Sequence, residues 1–197
     1  FKTYLLNNLD NGEVEKILVD LKLDEDQNIN NFTINGSVKK INIKATKNVL
    51  FEDISFNFIS DEKLTLINSL NGKYQNLSIS NGSLSLKRNK QIDIKGNFNS
   101  QFTLNEKSIN KLFTKSNIEF LEKIKLDVKG SLLHDFTLKI DNNLKLVDYD
   151  YTSSGNISES QIILKESYVS KFIEKSINKL SVSETNLLIN LSKKNKN

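Results

Sequence analysis

The chain has 197 residues, a net charge of +4 at pH 7 and no cysteine, methionine, proline or tryptophan. Without cysteine there is no disulfide framework, no thiolate nucleophile and no cysteine-based metal site. The lysines are scattered among carboxylates and asparagines, so nucleic acid is not an expected partner. No apolar run of the sequence reaches the roughly 20 residues that a membrane-spanning helix needs. Because the chain starts at Phe1 and contains no methionine, we expect it to be a fragment of a longer protein.

Apolar and polar residues alternate along most of the chain, which is typical of strands with one apolar and one solvated face. A change of phase at Lys39-Lys40 predicts a turn or bulge there, and another phase change occurs at Val147-Asp148. The alternating positions that best define one apolar face are Leu21, Leu23, Phe32, Ile34, Ile54, Phe56, Phe58, Ile92, Ile94, Phe98, Phe136, Leu138 and Ile140.

Short connections between the strands carry turn-forming residues at Asn71-Gly72, Asn81-Gly82 and Asp141-Asn142-Asn143. Short loops pair each strand with the next one along the chain. The sequence therefore predicts an antiparallel meander of roughly a dozen strands.

A glycine followed by Ser or Asn and then an apolar residue recurs at Gly36, Gly82, Gly96, Gly130 and Gly155. Glycine inside a strand marks a break, a bulge or the close approach of another group. The shared register favours a sheet that curls at regular intervals over simple strand breaking.

Two segments, 106–123 and 167–180, have apolar residues at helical spacing and are predicted to form short helices. Both contain the sequence Glu-Lys-Ser-Ile-Asn-Lys-Leu, at 106–112 and 174–180, and each copy follows a glycine-led strand. One strand-and-helix unit used twice explains this better than chance in a chain of biased composition. We expect the helices to pack on the sheet, with a membrane-surface role as the alternative.

No combination of residues predicts catalysis. His134 is the single histidine and lies beside Asp135 between two predicted strands, where a solvated turn residue is expected. The acidic turn at 24–26 lacks the spacing of a calcium loop, and no glycine-rich loop could hold a phosphate. We therefore expect no enzyme activity, no metal and no cofactor.

A dozen strands about 4.8 Å apart would make a sheet on the order of 55 Å wide, which two short helices cannot cover. The predicted fold is a mainly-β, long, curved antiparallel meander that forms an open groove, with two short helices. Residues 1–104 are the first groove segment, 105–123 the helical interruption and 124–197 the second segment. Since large exposed apolar patches otherwise favour aggregation, an apolar ligand is expected in the groove, lined by the thirteen alternating positions above.

Segments such as Asn81-Gly82-Ser83-Leu84-Ser85-Leu86 and 126–132, with short helices between strands and no catalytic residues, resemble the AsmA-like family of Gram-negative bacteria, which includes the TamB and YhdP types. The resemblance is clearest over residues 82–180. It implies repeating β-groove modules in the periplasm, tethered to the inner membrane by a segment outside this chain. It also implies transfer of phospholipid along the groove toward the outer membrane.

The sequence is also compatible with two alternatives. One is a structural or adhesive β-sandwich of a surface protein, with a dry core and no ligand. The other is a β-jellyroll bridge for lipopolysaccharide, which would be apolar inside but would not need the helices.

Overall fold

A computed structural model describes residues 9–46, 49–105, 108, 124–143, 145–169 and 176–193. They contain ten strands: β1 (Leu9–Asp10), β2 (Glu13–Leu23), β3 (Ile29–Thr46), β4 (Val49–Ser60), β5 (Leu64–Tyr74), β6 (Leu77–Arg88), β7 (Ile92–Asn105), β8 (Ile124–Ile140), β9 (Leu146–Val169) and β10 (Ser176–Ser192).

All ten strands belong to one antiparallel sheet in which strands from β3 to β10 follow chain order. β1 and β2 both pair with β3, at successive positions along the same edge. Substantial contacts join only neighbouring strands, so the described residues form a single layer. The sheet is open and uncurled. The predicted open, mainly-β antiparallel meander is therefore confirmed, whereas the predicted curvature is not seen, because the sheet is uncurled.

Of the two predicted helices, one lies almost wholly outside the described residues and the other is contradicted. The segment 106–123 lies outside the described residues, apart from Ser108. The helix predicted over 167–180 is contradicted at both ends, because β9 continues to Val169 and β10 begins at Ser176. There Ser176 pairs with Val169 and Ile177 with Tyr168. Strand pairing thus outweighs the helical spacing of the apolar residues.

Three short turns at the same end of the sheet are each closed by an aspartate. Asp61 accepts hydrogen bonds at 2.7 Å from the backbone N–H groups of Leu64 and Lys63, and these bonds lower the pKa of its carboxyl group. Asp24 and Asp141 hold the β2–β3 and β8–β9 turns in the same way. The turn predicted at 141–143 is confirmed.

Bulges occur at neighbouring positions in four adjacent strands. Lys40, Asp53, Ser69 and Asn81 have φ angles between 52° and 56°, and the strand register shifts at each of them. The bulge that the phase change at Lys39-Lys40 predicts is confirmed. A left-handed residue of this kind bends and twists its strand locally.

Polar side chains on the adjacent strand satisfy the N–H groups that the bulges release. The N–H of Asp53 donates to Asn42 Oδ1 at 3.1 Å, and that of Asn81 donates to Asn71 Oδ1 at 3.3 Å. The pairs Asn71-Gly72 and Asn81-Gly82 lie inside β5 and β6. The prediction of hairpin turns at these positions is therefore wrong.

Candidate functional site on the apolar face

The side of the sheet that carries most of the apolar residues is here called the apolar face. Directly opposed residues of antiparallel strands point to the same face, so the register traces rows across it. One row crosses from β2 to β10 through Ile17, Gly36, Phe58, Ile67, Leu84, Gly96, Phe136, Tyr151 and Leu191. Nine strands about 4.8 Å apart make this row roughly 38 Å long.

The register places all thirteen predicted lining residues on this face. Leu21, Leu23, Phe32 and Ile34 lie on β2 and β3; Ile54, Phe56 and Phe58 lie on β4; and Ile92, Ile94, Phe98, Phe136, Leu138 and Ile140 lie on β7 and β8. Residues of β5 and β6 that were not on that list, such as Ile67 and Leu84, connect the groups. The period-2 pattern contained the signal for Leu84, whereas Ile67 is out of phase with Leu64 and Leu66, which lie on the opposite face.

Glycines on the apolar face lie beneath the side chains of neighbouring strands. A Cβ atom added at Gly96 would lie 2.4 Å from Leu84 Cδ2 and 2.7 Å from Phe136 Cζ. At Gly130 it would lie 2.9 Å from Phe102 Cζ. The sequence favoured a sheet that curls at the strand glycines over simple strand breaking, but the sheet is uncurled and the prediction of a curl is wrong. At these positions the glycines instead allow the close approach of neighbouring side chains. Large side chains thus lie across the sheet and shield one another within a single layer.

The layer nevertheless leaves much surface in contact with solvent. The total accessible surface is 14713 Å², whereas a compact monomer of 22.5 kDa is expected to expose about 9,500 Å². Among the described residues the buried hydrophobic ones are Val38, Ile54 and Phe102. Most other residues of the apolar face are half-buried, and those of β2 are more exposed.

Charge is concentrated on the opposite, polar face. Ion pairs there join Lys73 to Asp53 at 3.0 Å and Lys129 to Glu159 at 3.2 Å, both exposed. Two shallow cavities of about 430 and 460 Å³ also lie on the polar face. Exposed ion pairs are screened by water and contribute little to stability, so these pairs do not explain what stabilises the sheet.

A buried polar cluster interrupts the apolar face at its centre. His134 lies in the middle of β8 and is 6% exposed, so the prediction of a solvated turn residue is wrong. Its Nε2 lies 2.7 Å from Ser100 Oγ, and its Nδ1 lies 2.7 Å from the Tyr151 hydroxyl. The ring of Phe98 stacks on the imidazole at 4.3 Å. The sequence contained evidence for this position on the apolar face, because residue 134 is in phase with the alternating residues Leu132 and Phe136.

The geometry of this cluster does not favour catalysis by a serine nucleophile. Ser100 is 1% exposed, which leaves no approach for a substrate carbonyl. The partner of Nδ1 is a neutral phenol, whereas a catalytic imidazolium is stabilised by a carboxylate. The cluster is better described as a hydrogen-bond chain that ties β7, β8 and β9 together.

The chain should lose stability as pH falls below the ordinary histidine range, because burial lowers the pKa of His134 and Asp135 offsets this only in part. The groups facing the ring from β7 and β9 are uncharged: Phe98, Ser100, Tyr151 and Ser153. The folded chain thus binds fewer protons than the unfolded chain below about pH 6.5. The midpoints of urea unfolding at pH 7.5 and pH 5.5 measure the effect. The substitution His134→Gln should reduce the difference between these two midpoints. An equal pH dependence in that variant would contradict the prediction.

Other kinds of site are not evident in the described part of the chain. No group of three or more His, Asp or Glu side chains there is placed to hold a metal ion. No helix among the same residues is long and apolar enough to cross a bilayer. Comparisons with family models, curated proteins and solved structures found no match to this chain.

Proposed function

We propose that this chain is a segment of a bridge-like lipid-transfer protein, and that acyl chains of phospholipid lie on its apolar face. The observation that carries the proposal is the apolar row that crosses nine strands, on a face whose described residues carry no second layer. Burial of a methylene group contributes about 0.8 kcal/mol. A single acyl chain therefore needs no specific contact to be held there.

The distribution of charge supports a passive mechanism of transfer. The lysines and carboxylates of the strands lie on the polar face, apart from Arg88 near the end of β6 and residues within bulges. Head groups would remain in water at the margins of the apolar face while acyl chains slide across rows of Leu, Ile and Phe. Outside the polar cluster of Ser100, His134 and Tyr151 the rows resemble one another, so no position along them traps the lipid strongly.

The resemblance to AsmA-like proteins adds the cellular setting to this proposal. In it the chain lies in the periplasm, is tethered by a segment outside this chain, and carries phospholipid between the inner and outer membranes. A β-sandwich needs a second sheet, and the described residues supply one sheet only. For that reason we do not favour the adhesive-domain alternative.

Bound lipid is the direct test of the proposal. The chain purified without detergent should yield phospholipid in an organic extract, identified by mass spectrometry. After its lipid is removed, the chain should bind a phospholipid with a fluorescent acyl chain. The amount of phospholipid bound should rise in proportion to the amount of protein. A chain that releases no lipid and binds none from vesicles would contradict the proposed function.

A further inference from the structure

The outer edge of β10 is the longest free strand edge that the structure describes. β10 runs for 17 residues from Ser176 to Ser192 and pairs with β9 on one side only. No described residue pairs with its other side. A free edge of this kind presents unpaired N–H and C=O groups that can bind another strand.

The two edges of the sheet differ in how they are protected. β2 carries five charged residues among its 11: Glu13, Glu15, Lys16, Asp20 and Lys22. Its pairing with β3 is also broken by two register shifts. Charges and bulges are the usual features that keep an edge from pairing. β10 has only Lys179 and Glu184 among 17 residues, and none of the residues from Thr185 to Ser192 is charged.

The topology decides which partner β10 fits. β2 and β10 are eight antiparallel steps apart, so they run in the same direction. Head-to-tail addition of copies would therefore need a parallel pair, unlike every pair in this sheet. Two β10 strands related by a two-fold axis pair antiparallel instead. If the axis is normal to the sheet, the apolar face stays on the same side in both copies, and the assembly closes at two.

We propose that β10 is a dimerisation edge, at which two copies of this chain pair antiparallel and join their ten-stranded sheets into one. The exposed apolar side chains of β10 fit this role on both faces. Leu191 is 53% exposed on the apolar face, and Leu188 is 64% exposed on the polar face. Each would be partly covered by cross-strand neighbours from the second copy.

Lysine substitutions at the two edges test this proposal with matched changes. Leu188→Lys with Leu191→Lys places charge on both faces of β10. The control, Ile17→Lys with Leu18→Lys, does the same on β2, where the side chains are 54% and 46% exposed. Sedimentation of the delipidated, unaltered chain should give about twice the monomer mass of 22.5 kDa. The β10 variant should be monomeric and the β2 variant dimeric.

Three results of this experiment would overturn the proposal: a monomeric unaltered chain, a β10 variant that remains dimeric, or oligomers that grow without limit and are blocked from either edge. Circular dichroism checks that each variant keeps its β-sheet. If the β10 variant unfolds, hydrogen exchange of the unaltered chain decides. The β10 amides should then exchange more slowly at high than at low protein concentration, and equal rates would refute the dimer. Since lipid is removed first, failure here leaves the lipid-transfer proposal untouched.

Discussion

A chain carrying Phe56→Asp and Ile94→Asp should lose lipid binding and keep its β-sheet. Both residues lie on the apolar face, Phe56 opposite Val38 and Ile94 between Leu86 and Leu138. Both side chains are half-buried, so each new carboxylate can reach water. A charge on this face makes contact with acyl chains unfavourable without leaving an unpaired charge in a dry core. We expect binding of fluorescent phospholipid to fall at least about tenfold, which corresponds to about 1.4 kcal/mol.

The control adds the same two negative charges on the polar face. Asn57→Asp and Asn97→Asp are nearly isosteric changes at exposed positions. Asn57 follows Phe56 on β4, and Asn97 lies three residues after Ile94 on β7. This variant should bind lipid as the unaltered chain does. If the apolar-face variant unfolds, as judged by circular dichroism, then the face is sealed by packing and the lipid path is refuted. Equal lipid binding by the two variants would also refute it.

Gly155→Ala should strongly destabilise the sheet. An added Cβ atom would lie 2.1 Å from the backbone oxygen of Ser131 and 2.9 Å from Leu132 Cα, and both of these atoms belong to the backbone of β8. Neither atom can move without displacing the β8–β9 pair. We expect a loss of about 3 kcal/mol in the free energy of unfolding, at the upper end of the usual cost of overpacking.

Gly82→Ala is the matched comparison. The nearest atom there would be Leu70 Cβ at 2.9 Å, while the closest backbone atom is the Leu70 oxygen at 3.2 Å. A side chain can adjust more readily than the backbone, so a loss of about 1 kcal/mol is expected. Urea unfolding of both variants measures the difference. A neutral Gly155→Ala variant, or a larger loss at Gly82, would contradict this explanation of the strand glycines.

Much of the fold was predictable because alternation with period 2 is a local signal. It placed Phe32, Phe56 and Phe136 on one face without knowledge of which strands pair. The phase change at Lys39-Lys40 likewise predicted a bulge that the register confirms. In both cases neighbours along the chain determine the direction of each side chain, and the pairing only preserves it.

Features that depend on the partner strand were missed. The Asn71-Gly72 pair has the composition of a hairpin turn, yet Asn71 accepts the N–H of a bulge residue on β6 and Gly72 lies beneath Ile54 of β4. The segment 167–180 has helical spacing, but β9 and β10 pair at both of its ends. His134 follows the local alternation, and only its partners Ser100 and Tyr151 explain why a polar ring is stable there.

Contacts confined to neighbouring strands make the sheet modular in units of one hairpin. The first copy of the heptapeptide Glu-Lys-Ser-Ile-Asn-Lys-Leu begins directly after β7, and the second begins two residues before β10 and continues into that strand. A strand two positions further along the sheet runs in the same direction and presents its side chains to the same two faces. Gain or loss of a whole hairpin would therefore change the width of the sheet while leaving every remaining side chain on its original side. Duplication of hairpins is thus a simple evolutionary route by which such a sheet could become wider.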